Sequence, residues 1–108
     1  MAHAHAVPGE VIDMNTFGLN TFGNETTTAV VKTDTFEVLR LVVRADKPIP
    51  RHRAGGAVTV QCLSGRCTFV VDDVPQPLEA GSWLYLEPAT PHAVASESAA
   101  VLLVTIML

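Results

Sequence analysis

Every long apolar run in this chain has the length of a β-strand and ends at a turn, and this feature constrains the fold most. The run FEVLRLVVRA ends before Pro48, VTVQCL ends at Ser64-Gly65, and CTFVV ends at Asp72-Asp73. Short β-branched runs separated by Gly, Pro and Asp are typical of strands, and no apolar pattern of helical period extends beyond a turn. The sequence therefore predicts an all-β sandwich or barrel.

The stretch from Pro50 to Gly65, PRHRAGGAVTVQCLSG, opens on a lone histidine, His52. Side chains alternate across a strand, so an inward His52 predicts an inward Ala54 as well. After the strand bend at Gly55-Gly56, the predicted inward set resumes as Val58, Val60 and Cys62. One polar group is therefore expected among small apolar ones.

A second stretch, Gly81 to Ser96, repeats this form as GSWLYLEPATPHAVAS: an apolar run, a Pro-containing turn and a lone histidine, His92. Two strands that each bring one imidazole toward a common interior would form a site. A lone histidine is also commonly a neutral core residue whose ring nitrogen is satisfied, and that interpretation stays open.

Together the two stretches resemble the paired motifs of the cupin superfamily, which implies a single jelly-roll barrel, the double-stranded β-helix. In that family, two histidines and a glutamate of the first motif and one histidine of the second bind a metal. Aligned on Gly65 and Gly81, these four positions fall on His52, Ala54, Val58 and His92. The resemblance therefore implies a degenerate metal site in which only His52 and His92 keep ligand side chains.

Replacements for the two missing ligands are sparse in the sequence. Gln61 is the candidate third ligand, although its strand parity is opposite to that of Val58; Glu87 and the His3/His5 pair of the N-terminal arm are further candidates. A catalytic metal site normally uses three protein ligands. A divalent transition metal (Zn, Fe, Mn or Ni) is therefore possible as cofactor, but none is required.

Two classes of function stay open on this basis. The first is a non-enzymatic protein that binds a small molecule in a barrel pocket lined by His52 and His92. The second is a metal-dependent enzyme, resembling cupin dioxygenases or isomerases, in which the same two histidines are metal ligands. Ala54 and Val58 favour the first class.

Length and composition limit the partners. At 108 residues the chain predicts one domain, divided into residues 1–25 (N-terminal arm, edge strand and loop) and residues 26–108 (cupin-like barrel). A formal charge of −4 and only seven Lys and Arg predict no nucleic-acid partner. The start, MAHAHAVP, does not have the pattern of a secretory signal, and no run is long enough for a membrane helix. We expect a soluble cytoplasmic protein with no membrane partner.

Two features predict a homodimer. Trp83 and Tyr85 share the outward face of their strand, and the run from Ala99 to Leu108 is apolar on both faces. So much apolar surface is unfavourable in water. On the strand beginning at Phe36, parity places Arg40 outside the barrel, at the rim of a face half covered by a neighbouring sheet or subunit; an alternative places it inside as an anion clamp.

The two cysteines lie on either side of Ser64-Gly65, which predicts a two-residue hairpin. Such a hairpin would pair Leu63 with Arg66 and Cys62 with Cys67. A bridge between them would be strained, and the cytosol would keep both thiols reduced. We therefore expect two free thiols.

Overall fold

The computed structural model describes residues 5–17 and 27–108, and within these ranges it contains nine β-strands and no helix. The strands are β1 (Thr28–Lys32), β2 (Phe36–Val43), β3 (Ile49–His52), β4 (Val58–Ser64), β5 (Arg66–Val71), β6 (Val74–Glu79), β7 (Trp83–Leu86), β8 (His92–Ala95) and β9 (Ala100–Met107). The all-β prediction is confirmed. No helix long and apolar enough to cross a membrane occurs in the part of the chain described.

The strands form two antiparallel sheets that pack into a jelly-roll barrel. The larger sheet has the order β1-β2-β9-β4-β7 and the smaller one the order β3-β8-β5-β6. The chain therefore crosses from one sheet to the other several times. This topology brings β3 and β8, which carry the two histidines, side by side although 40 residues separate His52 from His92.

The core forms where the inward residues of the two sheets meet. Val58, Val60 and Cys62 of β4 are buried, as their alternation predicts, and they belong to the same apolar cluster as Phe69 of β5 and Val94 of β8. Burying side chains of this size stabilises the fold by about 1.5–3 kcal/mol each relative to exposure. The period of two thus identified the inward face of β4 correctly.

The predicted hairpin at Ser64-Gly65 is wrong. β4 pairs with β7 and β9, whereas β5 pairs with β6 and β8, so the chain changes sheets at this turn instead of folding back on itself. Gly65 has φ of +76°, and a Cβ there would lie 2.5 Å from the carbonyl oxygen of Ala99, the residue before β9. Gly65 therefore permits a sheet-crossing corner, and turn chemistry alone does not distinguish such a corner from a hairpin.

Because the hairpin is absent, Cys62 and Cys67 are not a cross-strand pair. Cys62 lies opposite Leu102 and Cys67 opposite Leu78. Both are buried free thiols. Burial raises the pKa of both, to about 11 for Cys67. Thiols with raised pKa values react slowly, so these side chains are structural; that they stay reduced in solution is still a prediction.

The turn predicted at Asp72-Asp73 is confirmed, and it joins β5 and β6 as a hairpin. Val71 of β5 pairs with Val74 of β6, and the two aspartates between them have φ values of 49° and 68°. Positive φ at both central residues is the geometry of a two-residue hairpin turn that matches the twist of the strands. Asp tolerates this conformation better than most residues.

The N-terminal segment covers Arg40. No strand forms at residues 9–14, where the sequence predicts one; residues 8–9 and 14–17 are turns instead. Arg40 lies on the outer face of β2, as its parity predicts, yet it is only 3% exposed, and its Nε donates a hydrogen bond to the Met14 carbonyl oxygen at 2.8 Å. The prediction of a position at a rim is therefore wrong, because the chain's own N-terminal segment covers this face. His3 lies outside the described residues, and His5 is exposed.

Candidate functional site

The structure brings the two candidate histidines together at one end of the barrel. His52 ends β3, His92 begins β8, and the two residues lie directly opposite each other in the sheet. Their ring centroids are 4.2 Å apart, with an angle of 63° between the ring planes. At this separation both imidazoles can contact one small molecule.

Both imidazoles are held in the same way, by a backbone carbonyl two residues earlier in the chain. His52 Nδ1 lies 2.9 Å from the Pro50 carbonyl oxygen, and His92 Nδ1 lies 2.9 Å from the Thr90 carbonyl oxygen. A carbonyl oxygen can only accept, so each Nδ1 must carry the proton and donate it. In the neutral rings each Nε2 therefore keeps a free lone pair, and the site presents two acceptors.

The two histidines differ in burial. His52 is exposed, whereas His92 is only 6% exposed and stacks on Phe69 of the core at a centroid distance of 5.7 Å. Burial, which disfavours the charged ring, lowers the pKa of His92 below its ordinary value, and the Thr90 carbonyl only partly opposes this. His92 is therefore neutral at pH 7.

This shift predicts a loss of stability in acid. The unfolded chain protonates His92 near pH 6.5, about its unperturbed value, whereas the folded chain resists protonation to a lower pH. The contribution of neutral His92 to folding is therefore complete above about pH 6.5 and is lost as the pH falls from there toward the folded pKa. Urea unfolding of His92→Gln between pH 7.5 and 5 should show a weaker loss of stability than the unaltered protein. His5→Gln is the matched control and should keep the full loss; equal losses in the His92 variant and the unaltered protein would contradict the prediction.

The cavity beside the pair is small and partly charged. It measures about 110 Å³ and touches His92 but not His52; its lining residues are Arg51, Val70, Asp73, Pro91, His92 and Ala93. Arg51 Nη1 lies 3.3 Å from Asp73 Oδ1 in an exposed ion pair, the kind that contributes little to stability and opens readily. Typical ligand pockets measure about 300–1,000 Å³. A cavity this small suits a small ligand or one end of a larger one.

The residues present do not fit the metal site that the family resemblance implies. Ala54 and Val58 have no donor atoms, and Val58 is packed in the core. Gln61 is exposed on the outer face of β4, opposite Trp83 and Leu103, and so points away from the imidazoles; Glu87 is exposed as well. Within residues 5–17 and 27–108 no group of three or more His, Cys, Asp and Glu side chains could hold a metal ion. The pair supplies two nitrogen ligands, fewer than the three that catalytic sites use.

Sequence reasoning missed the carbonyl groups that orient the rings and the ion pair beside them. No shared local order indicates the carbonyls, since Pro50-Arg51-His52 and Thr90-Pro91-His92 have proline at different positions. No local pattern indicates the Arg51–Asp73 contact, since 22 residues separate its members.

Comparison with known proteins agrees with this architecture. The family model for the cupin domain matches residues 39–106, more than half of the chain. This chain belongs to the cupin family. The predicted jelly-roll fold of this cupin is confirmed, and the matched region includes both histidines. No curated protein matches its sequence.

Solved structures resemble this cupin in fold at low sequence identity. A conserved protein of unknown function from Streptococcus pyogenes superposes with a TM-score of 0.79 at 17% identity, covering 99% of this chain and 94% of that one. A cupin-2 domain containing protein from Shewanella frigidimarina gives 0.74 at 14%, covering 91% and 95%. The DMSP lyase of Ruegeria pomeroyi gives 0.70 at 16%, covering 82% of this chain and 49% of the lyase. At these identities the similarity establishes the fold alone.

Proposed function

We propose that this cupin binds a small molecule carrying hydrogen-bond donors, through the Nε2 atoms of His52 and His92 and without a catalytic metal. The observation that supports this most directly is the matched anchoring of both rings. Each Nδ1 donates to a backbone carbonyl two residues earlier at 2.9 Å, so each free Nε2 is an acceptor. Two acceptors on rings 4.2 Å apart suit a ligand with two nearby donors.

The chemistry of the pair favours hydroxyl or ammonium groups as those donors. Neutral imidazoles accept from both, and the Asp73 carboxylate, which lines the same small cavity as His92, adds a further acceptor when its exposed contact with Arg51 opens. The formal charge of −4 attracts a cationic ligand weakly over longer distances. The proposed ligand class is therefore a small polyol or a small protonated amine. We expect the protein to work in the cytoplasm, where the thiols of Cys62 and Cys67 stay reduced.

The alternative is a metal-dependent enzyme of the dioxygenase or isomerase type, with His52 and His92 as ligands. The Ruegeria protein is a DMSP lyase, and its similarity to this chain extends only to the fold. The missing donors at Ala54 and Val58 make this alternative the weaker proposal.

The test is nitrogen-15 NMR of the imidazoles in chelator-treated protein without an affinity tag, titrated with small diols, polyols and primary amines. Binding should shift the Nε2 resonances of His52 and His92 and leave those of His5 unchanged. Substituting either paired histidine by alanine should weaken binding by about tenfold, the equivalent of one hydrogen bond. His5→Ala is the matched control. Ligands that shift neither paired resonance would contradict the proposal, and one equivalent of transition metal that survives dialysis but is lost in His52→Ala would favour the enzyme.

A further inference from the structure

β7 is the last strand of the larger sheet, and its outer edge is unpaired in the described residues. Cys62 of β4 donates its N–H to the Ser82 carbonyl and accepts from the N–H of Gly81, both at 2.9 Å, so its backbone faces β7. By alternation, Val60 and Val58 also face β7 and pair with Leu84 and Leu86. The backbone N–H and C=O groups of Trp83 and Tyr85 therefore point away from β4. Within the described ranges, no strand pairs with this edge.

The other three sheet edges carry features that prevent strand pairing. At the β1 edge, Ala6 donates a hydrogen bond to the Val30 carbonyl, and a bulge interrupts the strand register between Ala29 and Val31. β3 contains Pro50, which has no N–H to donate. Bulges, prolines and covering segments are among the devices by which proteins protect sheet edges.

The β6 edge is protected by two prolines at positions whose backbone points away from β5. The two-residue turn makes Val71 and Val74 a hydrogen-bonded pair, so the next residues of β6 whose backbone points outward are Pro75 and Pro77. Proline has no N–H, so this edge offers no donor at either position. Of the four edges, β7 alone has no proline, bulge or covering segment in the described residues.

The β7 edge is also apolar and uncharged. Trp83 and Tyr85 are 58% and 60% exposed, and their ring centroids are 6.1 Å apart on the outer face of the sheet. Their neighbours on β4, Thr59 and Gln61, carry no charge. Two copies can therefore approach along this edge without placing like charges opposite each other, although each has a formal charge of −4.

We propose that the occupant of this edge is a second copy of this chain, and that its β7 pairs antiparallel with the first about a two-fold axis at Leu84. In this register Trp83 of one subunit lies opposite Tyr85 of the partner subunit. By the two-fold symmetry, Tyr85 of the first subunit lies opposite the partner's Trp83. Both residues have outward backbone groups, so the two pairs form four hydrogen bonds, and the two larger sheets become one of ten strands. On its outer face, two aromatic pairs meet across the junction.

The exposed aromatic rings supply part of the surface that a stable dimer needs. Trp and Tyr side chains bury about 150–250 Å² each when fully covered, so four rings with more than half their surface exposed contribute roughly 400–600 Å². That is about a third of the roughly 1,200–2,000 Å² in a stable interface. The strand edge and the half-buried Leu84, which lines the cleft of about 490 Å³ between β6 and β7, supply further surface.

The first measurement is sedimentation of the unaltered protein together with its tryptophan emission. Trp83 is the single tryptophan of the chain, so its emission reports this edge directly. The expected result is a reversible monomer–dimer equilibrium in which Trp83 becomes less accessible to a soluble quencher as protein concentration rises. A monomer at about 100 µM with a freely quenched Trp83 would overturn the proposal. The proposal would also fail if small apolar molecules protected Trp83 from the quencher while the protein kept the mass of a monomer, since the cleft would then bind a ligand.

The second measurement tests the register with Trp83→Glu and Tyr85→Lys, each alone and then mixed. Each variant alone should raise the dimer dissociation constant roughly 100-fold or more, because the change occurs twice at the centre of the interface. Mixing them places the new glutamate opposite the new lysine and restores one Tyr–Trp pair, so a heterodimer should form. Val74→Lys, at a 54% exposed apolar position on the proline-protected edge, is the matched control and should still dimerise. A dimer that survives both single changes, or a mixture that stays monomeric, would overturn the proposal.

Discussion

Replacing Gly56 by alanine is expected to lower the free energy of unfolding by about 3 kcal/mol or more. A Cβ at this position would clash with the Met107 carbonyl oxygen and lie 2.8 Å from its carbonyl carbon. These are backbone atoms of β9, which pairs with both β2 and β4 and whose Met107 N–H donates to the Ala57 carbonyl at 2.9 Å. The clash can therefore be relieved only by displacing the central strand of the larger sheet.

The matched control is the adjacent glycine. A Cβ on Gly55 would meet no atom within 4 Å. Gly55→Ala should therefore change the free energy of unfolding by less than about 1 kcal/mol. Alanine restricts the unfolded chain more than glycine does, and this effect alone stabilises the folded protein. Urea unfolding of the two variants measures the difference. Equal stability of the two would show that the close approach of β9 to Gly56 is not a real constraint.

The faces of the strands could be predicted because they depend on local alternation. The inward positions of Val58, Val60 and Cys62 and the outward positions of Trp83 and Tyr85 all follow from a period of two, and the structure agrees. No knowledge of the partner strand was needed. The turn at Asp72-Asp73 was likewise predictable, since both its flanking strands and its residue types are local.

Features that depend on distant partners could not be predicted in this way. Ser64-Gly65 has the residues of a hairpin turn, yet β5 joins the other sheet because β4 is already flanked by β7 and β9. Arg40 has the outward parity of a rim residue, yet the N-terminal segment, 26 positions before it at Met14, covers it. Local chemistry is the same in both outcomes, and only the tertiary arrangement decides between them.

The candidate site also combines features that the sequence predicts with features that only the structure reveals. The positions of His52 and His92 came from resemblance to family motifs, and the structure brings the two rings together. Their shared orientation, with Nε2 free in both, depends on carbonyls two residues away and is visible only in three dimensions. The interpretation therefore changes from a depleted metal site to a matched pair of acceptors.

Restoring the two lost donors should create a metal site where the unaltered protein has a weak one or none. Ala54→His and Val58→Glu together would add an imidazole and a carboxylate to the existing pair, giving the four ligand positions that the family resemblance implies. Since loss of even an outer-sphere partner costs about 10–100-fold in metal affinity, the double variant should bind Zn²⁺ or Ni²⁺ at least ~10²–10⁴-fold more tightly than the unaltered protein.

The change should also link stability to metal. Val58 is packed in the core, so a glutamate there is a buried carboxylate that costs several kcal/mol when unpaired, and the metal-free double variant should be markedly destabilised. Metal should then restore stability, by about 2.7 kcal/mol at a concentration 100 times its dissociation constant. Thermal unfolding with and without metal, on protein without an affinity tag, measures this linkage.

Two controls separate a designed site from adventitious binding. The double variant in a His52→Ala background should lose most of the gain, because the new donors need the original pair. His5→Ala in the double variant should keep it, since His5 is exposed on the N-terminal segment. Two results would contradict the prediction: the unaltered protein retains one equivalent of metal through dialysis, or the double variant binds metal no more tightly than the unaltered protein. Either would show that the number of donor side chains does not limit metal binding at this end of the barrel.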